Sequence, residues 1–194
     1  IRALETRDVA SLKTAQIAAL TTNQVKAALT TDQVAALTTA QVGALTTDQI
    51  SAALTTDQVV ALTTAQVATL NTDQIQALTT NQVKAIETRD IAVLTTRQIG
   101  ALTTSQVSAA LTTDQIVALT TGQIGALTTD QIQSLTTNQV RNIETRDVAA
   151  LTTRQIEALT TSQVSAALTT DQIVALTTGQ VGALTTDQIQ VLTT

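Results

Sequence analysis

The chain contains no cysteine, histidine, methionine, proline, tryptophan, tyrosine or phenylalanine. Each absence removes a class of function. Without Cys or His there is no thiolate nucleophile, no imidazole base and no soft metal ligand, so catalysis would rest on carboxylates, lysine or hydroxyls alone. We therefore expect a protein that is not an enzyme, with no cofactor, no metal site and no catalytic residue. Without aromatic rings nothing stacks on a nucleic-acid base, and ten basic against fifteen acidic residues give a net charge of −5, the wrong sign for a phosphate backbone. No nucleic-acid partner is expected. No apolar run approaches the roughly 18 to 20 residues of a membrane span, and no charged-then-apolar leader opens the chain, so no membrane insertion is expected either. The missing cysteines fit any compartment. With 43% hydrophobic and only 13% charged residues, the chain lies outside the composition of disordered segments despite its low complexity.

What is present is one short unit, repeated. Leucines fall at Leu4, Leu12, Leu20, Leu29, Leu37, Leu45, Leu54, Leu62, Leu70 and Leu78, and the series runs on through Ile86 and Ile143 to Leu192. The spacing is eight, with a nine at four places. Each unit reads L-T-T-x-Q-[VI]-x-A, and its second threonine (Thr47, Thr56, Thr64 and their equivalents) is never replaced. Residues 1–194 are read as a single repeat array. It starts at Ile1 and stops at Leu192-Thr193-Thr194, both inside the pattern, and we expect a window of a longer array.

One continuous helix is excluded by arithmetic. Eight residues at about 100° each overshoot two turns by about 80°, so the leucines would spiral around the cylinder and leave no apolar stripe. A plain strand fares badly as well. Leucine and the following Val or Ile are five apart and would face opposite sides, while Ala, Gln and Asp are weak strand formers. A strand bent at each threonine pair, with about three octads closing one coil of a β-solenoid, stays open as the alternative.

The leading expectation is an all-α solenoid in which each octad is its own very short helix. In Leu45-Thr46-Thr47-Asp48-Gln49-Ile50, Thr46 is the N-cap and Gln49 the third helical residue, a T-x-x-Q capping box. Leu45 and Ile50 flank it as a hydrophobic staple, and Asp48 places a negative charge at the positive end of the helix dipole. The first threonine is the less constant of the two, being Glu5, Glu87, Glu144, Lys13 or Asn71 in some units, so a cap on the second threonine is the competing register. Such helices do not persist alone. A buried Leu and Val contribute about 1.5 to 3 kcal/mol apiece, whereas ordering eight backbone residues costs about 1 to 2 kcal/mol each. Octads must stack and share a core.

The ninth residue is an extra alanine at Ala27-Ala28, Ala52-Ala53, Ala109-Ala110 and Ala166-Ala167. Read as one more helical residue it advances the chain by about 1.5 Å and turns it by about 100°, a correction of phase. The last three of these units lie 57 residues apart, and residues 86–137 match residues 143–194 at all but five positions. A 57-residue repeat sits above the octad, and we expect a superhelix with that rhythm.

Charges gather at 86–98 and 143–155. Glu87, Arg89, Asp90 and Arg97 read either as a partner-binding patch recurring every 57 residues or, preferably, as ion pairs on a solvated face contributing at most about 1 kcal/mol each. Asp32, Asp48, Asp57, Asp73, Asp114, Asp130, Asp171 and Asp187 raise the thought of calcium, but one carboxylate per octad is sparse against the six to eight oxygens required. The helix-dipole role is preferred. Rows of threonine suggest an ice- or glycan-facing surface, which a capping hydroxyl committed to backbone amides opposes. Acidic first turns repel anions, and Gly122, Gly125, Gly179 and Gly182 form no phosphate loop. We read them as close-packing or loosening positions.

The octads resemble the ALTTDQ-type repeats of very large bacterial surface and secreted proteins, over essentially the whole chain. That resemblance implies an extracellular or cell-surface stalk, adhesin or filament. A second likeness is narrow: "LTTDQVVAL" at 54–62 is similar to the opening helix of the transcription-activator-like effector repeat, but that family's much longer repeat and base-reading loop are missing, so its DNA function is not carried over. The expected function is a structural rod, stalk or filament on a bacterial surface, with self-association into filaments or homo-oligomers. The alternative is a binding module, an adhesin or glycan- or ice-binding surface, displaying threonine rows or charged patches. The reading requires a far-ultraviolet circular dichroism spectrum dominated by helix, and one dominated by sheet would overturn it.

Overall fold

The structure is a computed structural model and describes residues 1–192; the last two threonines of the repeat pattern, Thr193 and Thr194, lie outside the described residues. Among the described residues there are twenty α-helices and three π-helical segments of four to six residues each, and no strand. The fold is all-α, with one short helix per octad, and the β-solenoid alternative is removed. The physical reason is local. Most octads carry a complete helix-start signal, and nothing in them favours an extended ladder.

The start signal sits in the first of the two registers considered. Thr46 Oγ1 accepts the Gln49 amide at 3.2 Å, and the Thr46 amide donates to Gln49 Oε1 at 2.8 Å. Leu45 and Ile50 on either side are both buried. The cap is therefore the first threonine, and the second is the first helical residue, exposed in most units.

The chain divides into two compact units, Ile1–Leu102 and Thr103–Thr194. Within each, a helix packs on the one three octads later: Thr56–Val60 on Thr80–Ala85 and Thr72–Ala77 on Thr96–Ala101 in the first, Thr129–Ser134 on Thr153–Ala158 and Thr161–Ala166 on Thr186–Val191 in the second. The core is the row of Val or Ile that follows each glutamine, joined by the leucines between octads. From Val9 to Val164 these Val and Ile side chains are at most 2% exposed. The same position opens to about half-exposed at Val181 and Ile189, where no later described octad covers it. Burial is thus supplied by the following coil, which is why an octad cannot hold its helix alone.

The extra alanine is accommodated differently from the sequence expectation. In an ordinary octad the leucine amide closes on the Val or Ile carbonyl three residues back, as Leu37 does on Val34 at 3.2 Å and Leu45 on Val42 at 3.1 Å. In the nine-residue units the leucine amide reaches the glutamine carbonyl five residues back: Leu29 to Gln24 at 3.1 Å, Leu54 to Gln49 at 3.0 Å, Leu111 to Gln106 at 3.1 Å and Leu168 to Gln163 at 3.1 Å. The inserted residue widens the turn into a π closure and is absorbed there, with no further α-helical residue added. Leu29, Leu54 and Leu111 stay buried at the end of it.

The four glycines singled out in the sequence make no close approach. A methyl group added at Gly122, Gly179 or Gly182 would meet nothing within 4 Å, and at Gly125 only the Ala150 carbonyl at 3.8 Å, an ordinary contact. None has a positive φ. Of the two roles the sequence suggested for them, close packing is ruled out and loosening of the helix stands. Gly122→Ala and Gly179→Ala, each inside a helical turn, should therefore each raise unfolding free energy by about 0.5 to 1 kcal/mol, measured by urea denaturation.

Candidate functional site: glutamines that join successive coils

A five-residue helix is almost all ends. Its first amides and last carbonyls have no partner within the helix, and in a coil covered on both sides they are shut away from water. The third helical residue of each octad resolves both ends together. Gln74 Oε1 accepts the Asn71 amide at 2.9 Å at the start of its own helix, and its Nε2 donates to the carbonyls of Val42 at 3.0 Å and Leu45 at 2.7 Å at the finish of the helix four octads earlier. Gln172 repeats this in the second unit, accepting from the Thr169 amide at 2.9 Å and donating to Val140 at 2.9 Å and Ile143 at 2.7 Å. The side chain has one carbonyl and two N–H groups, and all are used.

The arrangement runs from Gln33 to Gln98 in the first unit, with Gln66, for example, reaching Val34 and Leu37 at 3.0 and 2.6 Å. It runs from Gln139 to Gln188 in the second, where Gln188 reaches Ile156 and Leu159 at 2.8 and 2.6 Å. These glutamines are at most 3% exposed. With helices packing three octads on and glutamines reaching four octads back, one turn of each coil holds between three and four octads.

Sequence reasoning assigned glutamine only the capping half of this work. The signal for the other half was present. A capping box takes Glu as readily as Gln, yet no unit carries Glu at this position. Only a side chain that both accepts and donates serves a helix start and another helix's finish.

Three units break the rule, with Asp8, Asp90 and Asp147 in place of glutamine and glutamate in place of the capping threonine. The expected ion pairs form: Arg89 Nη2 lies 2.5 Å from Glu87 Oε2 and its Nε 3.7 Å from Asp90 Oδ1, and Arg146 pairs likewise with Glu144 and Asp147. The solvated face expected for them does not hold throughout. Asp90 and Asp147 are 2% exposed, and each accepts a hydrogen bond from a threonine hydroxyl of an earlier coil, Thr64 Oγ1 at 2.7 Å and Thr121 Oγ1 at 2.5 Å. They are buried because they occupy the glutamine position. The arginines stay about two-thirds exposed, so those pairs contribute at most about 1 kcal/mol. Arg97 is exposed and joins no ion pair among the described residues.

The aspartates considered for calcium occupy exposed first turns, as at Asp32, Asp57 and Asp114. Among the described residues no three Asp or Glu side chains are grouped where they could hold a metal ion, and no helix is long and apolar enough to cross a membrane.

Compared with known families, the chain matches the ALTTAQ repeat at residues 1–39, 27–52, 35–64, 52–85, 83–121, 109–137, 140–178 and 166–194, matches that together cover all of it but residues 138 and 139. No curated protein matches it.

Gln74→Glu keeps the shape and the capping half but sets a carboxylate against two carbonyls. It should cost about 3 kcal/mol, whereas Gln133→Glu, at an exposed position, should stay within about 0.5 kcal/mol of the parent. Equilibrium denaturation of both variants checks the contrast.

Proposed function

The chain belongs to the ALTTAQ repeat family, and from that premise we propose that it is a structural element, an extracellular rod, stalk or filament of a bacterial surface that sets a distance and carries no chemistry of its own. The observation that supports this reading is the form of the glutamine link. It joins each coil to the one before by the same donors and acceptors wherever it occurs, as at Gln41, Gln74 and Gln180. A fold whose contacts reach only to adjacent coils has no intrinsic length. Stability is a sum over units and interfaces, so octads are added or removed without redesigning a core. That is the property a spacer needs and an active site does not.

Self-association into filaments belongs to the same reading. A surface built of identical octads presents the same groups at regular steps, so a contact made once between two copies is available again along their length. Negative-stain electron microscopy of the native protein should show rods or fibres. Discrete particles whose longest dimension does not grow when 57-residue repeats are added would overturn the proposal.

A further inference from the structure

Two places in the array are built differently from every coil around them, and they are built alike. In the octad of residues 87–94, Asp90 stands where a glutamine would donate to the earlier coil. A carboxylate has no N–H to give, so the link is reversed: the earlier coil donates, through Thr64 Oγ1 at 2.7 Å, and that is the carboxylate's one hydrogen bond across to it. The remaining support is Arg89 Nε at 3.7 Å, on a guanidinium about two-thirds exposed and therefore screened by solvent. Nearly complete burial of a carboxylate with such partial compensation weakens the seam.

The start of the same helix is weaker too. Glu87 is the N-cap, and its side chain accepts no helix amide. Its Oε2 is shielded from water and has no hydrogen-bond donor of good geometry, facing only Arg89 Nη2 as an ion pair. The helix, Thr88–Ile91, is four residues long, against five or six elsewhere outside this kind of unit. The second unit repeats the threonine donor, the arginine pairs, the uncapped start and the short helix, with Thr121 on Asp147, Arg146 beside Glu144 and Asp147, and the four-residue helix Thr145–Val148.

We propose that these aspartate units are opening joints, the seams at which one coil parts first from the coil before it while the flanking glutamine-linked coils stay closed. An array in which every seam was equal would yield at any of them. Replacing the two-carbonyl glutamine link once every 57 residues fixes where it yields and confines the opening to a short stretch, as expected where each coil touches only its neighbours.

The test is amide hydrogen exchange on the full chain, read at matched residue types on the two kinds of seam: Ile91 and Leu94 in the aspartate unit, Ile99 and Leu102 in the next octad. All four amides are hydrogen-bonded at 3.0 to 3.2 Å, so a difference reports opening of the seam. Ile91 and Leu94 should exchange about tenfold faster, equivalent to about 1.4 kcal/mol. Gln98→Asp should bring Ile99 and Leu102 to the rate of Ile91 and Leu94, with Thr72 at the same interval of 26 residues as its hydroxyl donor. Thr64→Val should speed exchange at Ile91 and Leu94 further and leave Ile99 and Leu102 alone. Equal rates at the two seams in the parent chain, or a Gln98→Asp chain that folds with its protection pattern unchanged, would overturn the proposal.

Discussion

The structure depends on satisfying the ends of helices too short to satisfy themselves. A helix of five residues leaves most of its polar backbone groups unpaired. Left so inside a stacked coil, each would cost free energy comparable to a lost hydrogen bond. One side chain per octad meets the need from both directions, with the amide oxygen taking an N–H at the start of its own helix and the amide nitrogen giving to two carbonyls where an earlier helix finishes. Gln74 and Gln172 show the same geometry in separate units of the chain. The array is held by a polar device repeated at every turn as much as by its apolar core.

The core and the device depend on each other. Val and Ile are buried because the next coil lies over them, and the next coil is held in register by the glutamine that reaches back across the same seam. The opening of the core at Val181 and Ile189 shows how directly burial follows from the presence of a following coil. The nine-residue units obey the same requirement. Absorbing the extra alanine in a π closure returns the leucine toward the core and keeps the unit in the link on both sides: Gln49, inside one such unit, donates back to Ile17 and Leu20, and the Val25 and Leu29 carbonyls of another accept from Gln58.

Where the sequence departs from its own pattern, the structure departs locally and by the same logic. An aspartate at the glutamine position is too short to span the seam and cannot donate, so Thr64 and Thr121 become the donors. A threonine that elsewhere lies exposed beside the seam then serves as part of the link. The glutamate at the cap position pairs with arginine and no longer with the helix amides. Seen this way, the charged clusters modify the seam more than they decorate the surface.

The sequence by itself determined the helices. Capping box, staple and first-turn aspartate all act within six residues, so the helix start could be placed at Thr46 or one residue later at Thr47 without knowing what surrounds it, and the octad spacing excluded one long helix by geometry alone. It also determined that octads must stack, because one cannot outweigh its own ordering cost. Only the tertiary structure decided what lies across a seam: that Gln74 reaches Val42 and Leu45, that Asp90 is buried against Thr64, and that the inserted alanine widens a turn and does not lengthen a helix. Those outcomes turn on which octad sits above which. In a chain of nearly identical units every octad offers the same surface, and the choice among equivalent partners is made by how many octads fill one coil.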